Sequence, residues 1–368
     1  MSRSAVVAVL IVGVCAVPTA LDRASIEGLY AAGINVLDVS LAARVPGGLS
    51  NRNFHIAGNV DGHFGEFLLR IPGDAASPFY GDVHLVDRVL ERRCATAAHA
   101  AGTSPELVRY VLGSGVSLTR WIDGKVLSSE NFTAFSFQKS RLAAVVTTLR
   151  QFHDRTLFEP PTPLFSPMLR AQNYVKVAPS LGVTIPESLT EGLQLAAQAD
   201  KALAARFRRA MASGREIPVA LHCDLNPANF IDSDGQVSLL DFEYCHMGER
   251  DWDLTNLMLF NRFPSDVRQE VLQAYDSAGH ELIDRPTMRE AKHAVMEWMW
   301  GFSEGLWGLA HNAVTDIPFD ASWTAPGIDS FEAYGLAILN STVRKLEDPV
   351  FRAQLDLILK WPDDSSEL

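Results

Sequence analysis

The sequence predicts an α+β fold of two lobes, in which a small antiparallel β-sheet carrying one helix precedes a larger, mostly helical body. Three observations predict it. Short β-like runs flank an Asp61-Gly62 turn in the first third of the chain. From about Lys125 onward apolar residues recur at helical spacing, with a β interlude between Ala220 and Asp241. Finally, 368 residues, 47% hydrophobic and 21% charged, are too many for one small core and too apolar for a disordered chain. We expect an N-terminal segment over 1–39 whose role the sequence does not define, a small lobe over 40–124 and a large lobe over 125–368.

Taken in order, Arg3 followed by the apolar run Ala5–Val17 and then Pro18-Thr19-Ala20 has the outline of a secretory signal, although the run is too short to span a bilayer as a helix. A buried first element or an over-extended start is the favoured expectation, with export the minority one. Phe54-His55-Ile56-Ala57 and Glu66–Ile71 form a predicted hairpin, and His84–Ala101 carries Leu85, Val86, Val89 and Leu90 at helical spacing before Gly102. Strands over Leu107–Leu112 and Val116–Ile122, joined by Gly113-Ser114-Gly115, complete the small lobe. The order strand, strand, helix, strand, strand matches the ATP-holding lobe of a kinase. Helices are expected over Ser140–His153, Leu189–Ser213, Ser265–Ala278, Met288–His311 and Phe331–Glu347.

A formal charge of −12 argues against a nucleic-acid partner, which would require a basic face, and favours small or cationic ligands. Cys15, Cys94, Cys223 and Cys245 have neither the density nor the spacing of a disulfide framework or zinc site.

The β interlude holds the chemistry. His222-Cys223-Asp224-Leu225-Asn226-Pro227-Ala228-Asn229 fits the pattern H-x-D-L-x-x-x-N, and after a turn at Asp232-Ser233-Asp234-Gly235 the run Val237–Leu240 delivers Asp241, seventeen positions past Asp224. Phosphoryl transfer needs in-line positioning and neutralisation of charge on the transferred oxygens. Asp224 suits the acceptance of a hydroxyl proton, while Asn229 and Asp241 offer the hard oxygen donors that Mg²⁺ prefers. His222 is expected to tie the loop backbone.

Leu221–Asn229 together with Leu240-Asp241-Phe242-Glu243-Tyr244 resembles the aminoglycoside phosphotransferase and choline kinase superfamily, and the Asp-Phe-Glu-Tyr form is similar to the choline/ethanolamine kinase branch. The resemblance implies a protein-kinase-like two-lobed fold, ATP and Mg²⁺ as cofactors, Asp224 as catalytic base, and Asn229 and Asp241 as metal ligands. Glu243 stands where protein kinases have Gly, which disfavours a protein substrate. Gly47-Gly48-Leu49-Ser50-Asn51 is similar to the family's phosphate loop, with Gly48, Leu49, Ser50 and Asn51 at the nucleotide. No lysine precedes Lys125, so Arg70, paired with Glu91, is implied as the phosphate-holding cation, and Arg120-Trp121-Ile122 as the adenine hinge, with Arg120 and Ile122 at the nucleotide. Met296–Gly301 and Ser330–Tyr334 resemble substrate segments of choline kinases, implying an acceptor site from Asn226, Tyr244, Trp300, Glu304, Trp307 and Tyr334. Aromatic faces with a nearby carboxylate suit an ammonium group.

The sequence departs from choline kinases in one place. After Asp253-Leu254-Thr255-Asn256 it continues Leu257-Met258-Leu259-Phe260, without the family's acidic residue; Asp251 or Asp253 could compensate, though Asp253 better suits bracing the catalytic loop. The expectation is a cytoplasmic kinase of a small amino alcohol, choline or ethanolamine, without stable membrane insertion and with room for a homodimer. An aminoglycoside-type or thiamine-type phosphotransferase, or a non-catalytic nucleotide-binding protein, are the alternatives.

Overall fold

Along Asn51–Val60 buried residues alternate with half-exposed ones, and this period-2 pattern makes the segment a strand with one face on a core. In the computed structural model it is β2, preceded by β1 (Val39–Val45) and followed by β3 (His63–Pro72), with the register running from Asn51↔Pro72 to Val60↔His63. The structure describes residues 29–30, 33, 39–45, 51–60, 63–72, 80–127, 139–159, 163–276, 286–315, 317–320 and 327–361. The Asp61-Gly62 turn, the loop bearing Gly48, Leu49 and Ser50, and the N-terminal apolar run lie outside them. β4 (Leu107–Tyr110) and β5 (Ser117–Arg120) complete an antiparallel sheet of order β1-β2-β3-β5-β4, on which Phe54, Ile56, Phe67, Leu69 and Leu118 pack as a core.

Between β3 and β4 the sequence predicts one helix from His84, whereas the chain forms two. α1 (Tyr80–His84) ends where Leu85 adopts φ +55°, and α2 (Arg88–Ala100) restarts with Asp87 as its cap, accepting from Val89 N and Leu90 N at 2.9 and 3.0 Å. An Asx cap outcompetes the apolar periodicity there because it satisfies donors the helix start would otherwise leave open.

The large lobe is built from α3 (Lys139–Arg155), α4 (Pro167–Val177), α5 (Thr190–Ala212), α6 (Asp251–Phe260), α7 (Ser265–Asp276), α8 (Pro286–Val314), α9 (Phe331–Arg344) and α10 (Pro349–Leu359). Its strands are β6 (Lys125–Val126), β7 (Val219–Leu221), β8 (Phe230–Ser233), β9 (Gln236–Leu239) and β10 (His246–Gly248). β8 and β9 form a hairpin with β6 on its edge, and β7 pairs with β10. The hairpin turns through Asp234 and Gly235, at φ +52° and +93°, which suits the Asp-Gly pair. One core surrounds α8, with Trp298, Met299, Phe302 and Leu306 against Ala171, Tyr174 and Leu203; the other lies between α3, α6, α7 and the hairpin. Among the described residues no helix is long and apolar enough to cross a membrane.

Candidate active site

The loop between β7 and β8 is fixed from below by α6. Asp253, fully buried, accepts from His222 N at 2.7 Å and Cys223 N at 2.9 Å, and Asn256 Oδ1 accepts from Leu225 N at 2.6 Å. These bonds hold Cys223 at φ +62°, a conformation costly for a side chain of its kind. His222 Nε2 lies 2.8 Å from Leu240 O, tying the loop to the end of β9. Both backbone roles, expected for His222 and Asp253, are present in the geometry. Asp251 pairs instead with Lys292 at 2.6 Å, and against the large cost of burial Lys292, His293 and Arg289 together hold its carboxyl well below the usual range.

Asp224, Asn229 and Asp241 converge at the mouth of this loop. Asn229 Nδ2 donates to both Asp224 O and Asp224 Oδ2 at 2.8 Å, while Asn226 Nδ2 donates to Asp224 Oδ1 at 2.9 Å. Leu240 N donates to Asn229 O at 2.9 Å, which sets Asp241 next in the chain beside them, at φ +60°. Burial raises the Asp224 carboxyl above its ordinary pKa; the Asn226 hydrogen bond opposes that, and the charge of Asp241 adds to it. A proton acceptor that works on a hydroxyl benefits from such a shift.

The small lobe reaches the same point through Asn51 and Arg70. Asn51 Nδ2 donates to Asp241 Oδ2 at 3.0 Å, and Arg70 bridges Asp241 and Glu91 with one guanidinium. Two groups that the sequence did not single out complete the network: Arg88 donates to Glu91 Oε2 at 2.9 Å, and Tyr110 hydroxyl donates to the same oxygen. Arg88 stands three residues before Glu91 on α2, a spacing that could have revealed it. Burial alone would depress Arg70, but Glu91, Asp241 and Glu243 hold it more firmly protonated than usual. Burial and then Asp241 push the Glu243 carboxyl up to about 8.

Oxygen donors of this kind fit a magnesium-bound nucleotide better than a metal held by protein alone. Asn229 spends its amide nitrogen on Asp224, which leaves its side-chain carbonyl oxygen for a cation, and Asp241 keeps a quarter of its side chain exposed. No cluster of three or more His, Cys, Asp or Glu able to hold a metal occurs among the described residues. Mg²⁺ characteristically takes one or two protein oxygens and completes its shell with phosphate and water. At the expected hinge, Arg120 N and Trp121 N donate to Glu106 O and Glu66 O, so both are spent on strand pairing; the Arg120 guanidinium lies over Phe67 and pairs with Glu106 at the surface, and Ile122 is half-buried.

Where the sequence leads one to expect the acceptor, α8 and α9 bring Trp300, Glu304, Trp307 and Tyr334 together with Tyr244. Tyr334 hydroxyl donates to Glu304 Oε1 at 2.8 Å, and Trp307 Nε1 donates to Tyr244 hydroxyl at 3.2 Å. The helices meet through glycines: a Cβ on Gly335 would lie 2.5 Å from Gly305 O, so only glycine permits this approach. The rings are not an open cage. Trp300 is 2% exposed against Phe165, Trp307 stacks on His311 at 4.5 Å, and the face of Tyr244 carries the Arg170 guanidinium at 4.3 Å. Arg170, on a helix the sequence did not reveal, is the main residue missed. Asn226 is likewise engaged, capping the short turn Pro227–Asn229 and holding Asp224. Glu304 keeps a partly exposed side chain; burial raises its carboxyl to about 7, against the Tyr334 hydrogen bond and with a push from Asp224.

The model of the phosphotransferase enzyme family, APH, matches residues 42–291. The chain belongs to this family. No curated protein sequence matches it significantly. The APH chain superposes on a choline/ethanolamine kinase family protein from Mesorhizobium loti with a TM-score of 0.62 at 25% identity, over 87% of this chain and 92% of that one. It is also similar to the choline kinase LicA from Streptococcus pneumoniae, at TM-score 0.59 and 18% identity over 84% and 94% of the two chains; LicA is also known in complex with AMP. With the aminoglycoside phosphotransferase APH(4)-Ia the TM-score is 0.54 at 13% identity, over 83% and 94%. The likeness to the last two is one of fold, and the two-lobed kinase-like architecture of this APH chain is the one they share.

Proposed function

We propose that the chain is an ATP-dependent small-molecule kinase that transfers the γ-phosphoryl group of Mg-ATP to the hydroxyl of an amino alcohol of the choline or ethanolamine class. The convergence of Asp224, Asn229 and Asp241 carries this reading. Asp224, oriented by Asn226 and Asn229, takes the hydroxyl proton at a carboxylate oxygen as the new P–O bond forms. Asn229 and Asp241 would hold magnesium, which when bound would neutralise charge on the transferring oxygens. Arg70, kept in place by Glu91, binds the α- and β-phosphates, and Asn51 orients Asp241. Glu304 and Tyr334 take the acceptor's ammonium group. The need for a nucleotide pool favours the cytoplasm as its location.

A primary ammonium suits this site better than a quaternary one, because Tyr244, Trp300 and Trp307 already have partners on their faces, whereas Glu304 can accept an N–H. An ADP-release screen with Mg-ATP against choline, ethanolamine, thiamine and aminoglycosides tests the proposal, with phosphorylated product identified by mass. Turnover is expected with small amino alcohols. Turnover with an aminoglycoside or thiamine alone would replace the substrate class, and nucleotide binding without phosphorylated product from any hydroxyl acceptor would replace catalysis.

A further inference from the structure

Arg170 is the one feature of the acceptor side that an amino alcohol leaves unexplained. Its residue is 9% exposed, yet among the described residues its guanidinium makes one hydrogen bond, to Tyr244 O at 2.9 Å, and no ion pair. Five N–H donors are available on that group, so most of its bonding capacity is unspent. One side is covered by rings, with Tyr244 at 4.3 Å, Phe165 at 5.2 Å and Trp300 at 6.0 Å from Cζ. Aromatic faces offset part of the cost of desolvating a cation, but a carboxylate partner is the usual remedy. Tyr244 in turn accepts from Trp307 Nε1 at 3.2 Å, and Trp300 stands one turn before Glu304 on α8, so the guanidinium lies against the rings that flank the proposed ammonium site.

We propose that Arg170 binds a carboxylate of the acceptor, so that the substrate is a hydroxylated amino acid, carrying hydroxyl, ammonium and carboxylate groups, rather than a bare amino alcohol. The inference rests on the proposed function and narrows its substrate. Three groups would then match three functions: Asp224 the hydroxyl, Glu304 with Tyr334 the ammonium, Arg170 the carboxylate. A planar guanidinium with unspent edges matches a carboxylate in bidentate geometry. A phosphate or sulfate fits less well, because one cation flanked by two acidic side chains cannot balance a dianion.

Acceptors that differ by the carboxylate alone decide the matter: serine against ethanolamine, and homoserine against 3-aminopropan-1-ol, measured as kcat/KM for ADP release by the full chain. The carboxylated member of at least one pair is expected to be preferred about tenfold or more, the effect of one charge-assisted hydrogen bond. Arg170→Gln should abolish that preference, mainly through the acceptor KM, and Arg170→Lys should restore part of it. Equal or better turnover of both decarboxylated members by the unmodified protein would overturn the inference while leaving the amino-alcohol reading intact. A fall of the same factor for both members of a pair in Arg170→Gln would also overturn it, assigning Arg170 to bracing Tyr244. If Arg170→Gln does not fold, the wild-type comparison and Arg170→Lys still decide between these outcomes. No turnover of any member would overturn the amino-alcohol reading and this inference together.

Discussion

Asp224 gives hydrogen-bonding room on both oxygens to carboxamides, not to cations, so its charge is oriented without being neutralised. A cation in the same place would have lowered its basicity, and the carboxamides leave burial in control of its pKa. Glu304 offers the same logic with a measurable pH. Its carboxyl ionises near 7, and only the ionised form attracts an ammonium group. The acceptor KM should therefore fall as pH rises through about 7. Glu304→Gln should remove that pH dependence and raise the acceptor KM about ten- to a hundredfold, the effect of losing a charged hydrogen bond; a pH profile of acceptor KM that Gln leaves unchanged would separate Glu304 from substrate. At this scale Asp224, Asn229 and Asp241 were legible because they lie within eighteen residues on a loop and hairpin whose turn chemistry is local. Arg170 and Tyr110 were not: the partner of Arg170 lies 74 positions on, and Tyr110 meets Glu91 only because β4 folds beside α2, with no shared motif to join them.

At the scale of elements, the site depends on α6 below and on the α8–α9 contact beside it. Asp253→Ala would orphan the buried N–H groups of His222 and Cys223, each worth about 1–3 kcal/mol, so a loss of about 2–6 kcal/mol in denaturant unfolding is expected. A loss below about 1 kcal/mol would show that the loop holds its shape without α6. Gly335→Ala is diagnostic in the opposite sense to usual. In a helix interior this change ordinarily stabilises by about 0.5–1 kcal/mol, but here the new Cβ meets Gly305 O and forces the helices apart. Lower thermal stability and a higher acceptor KM should appear together, because Tyr334 is carried away from Glu304. The sequence showed the long amphipathic helices and the β8–β9 hairpin, but not α6. Residues Asp251 through Met258 are all buried, so no polar face marks its period. It also missed α4, whose Ser166 cap and Pro167 at the first turn are the only local signals of its start, and α10, which starts in the same way with Asp348 and Pro349.

The whole molecule is joined at the site by Arg70, which belongs to β3, is held by Glu91 of α2, and grips Asp241 of the large lobe. Arg70→Met should leave the cores of both lobes intact but raise the KM for ATP, and weaken the stabilisation by Mg-ATP, about 2.7 kcal/mol at a hundredfold excess over Kd for the unmodified protein. A thermal shift by Mg-ATP equal to that of the wild type would remove Arg70 from the nucleotide site. The pairing of two lobes was readable from strand and helix order, and the place of Arg70 on the third strand from the resemblance to choline kinases. The pairing of Arg70 with Glu91 was expected as well; its grip on Asp241 was not, because a contact across 171 positions leaves no periodic trace.

One rate constant bears on all of this most directly: kcat of Asp224→Asn with Mg-ATP and the preferred acceptor, beside the Kd for Mg-ATP by calorimetry. Loss of the base should lower kcat about 10²- to 10⁴-fold and leave nucleotide affinity within a few fold. Turnover at the wild-type rate would mean that the acceptor's proton leaves by another route and would remove Asp224 from the role of base.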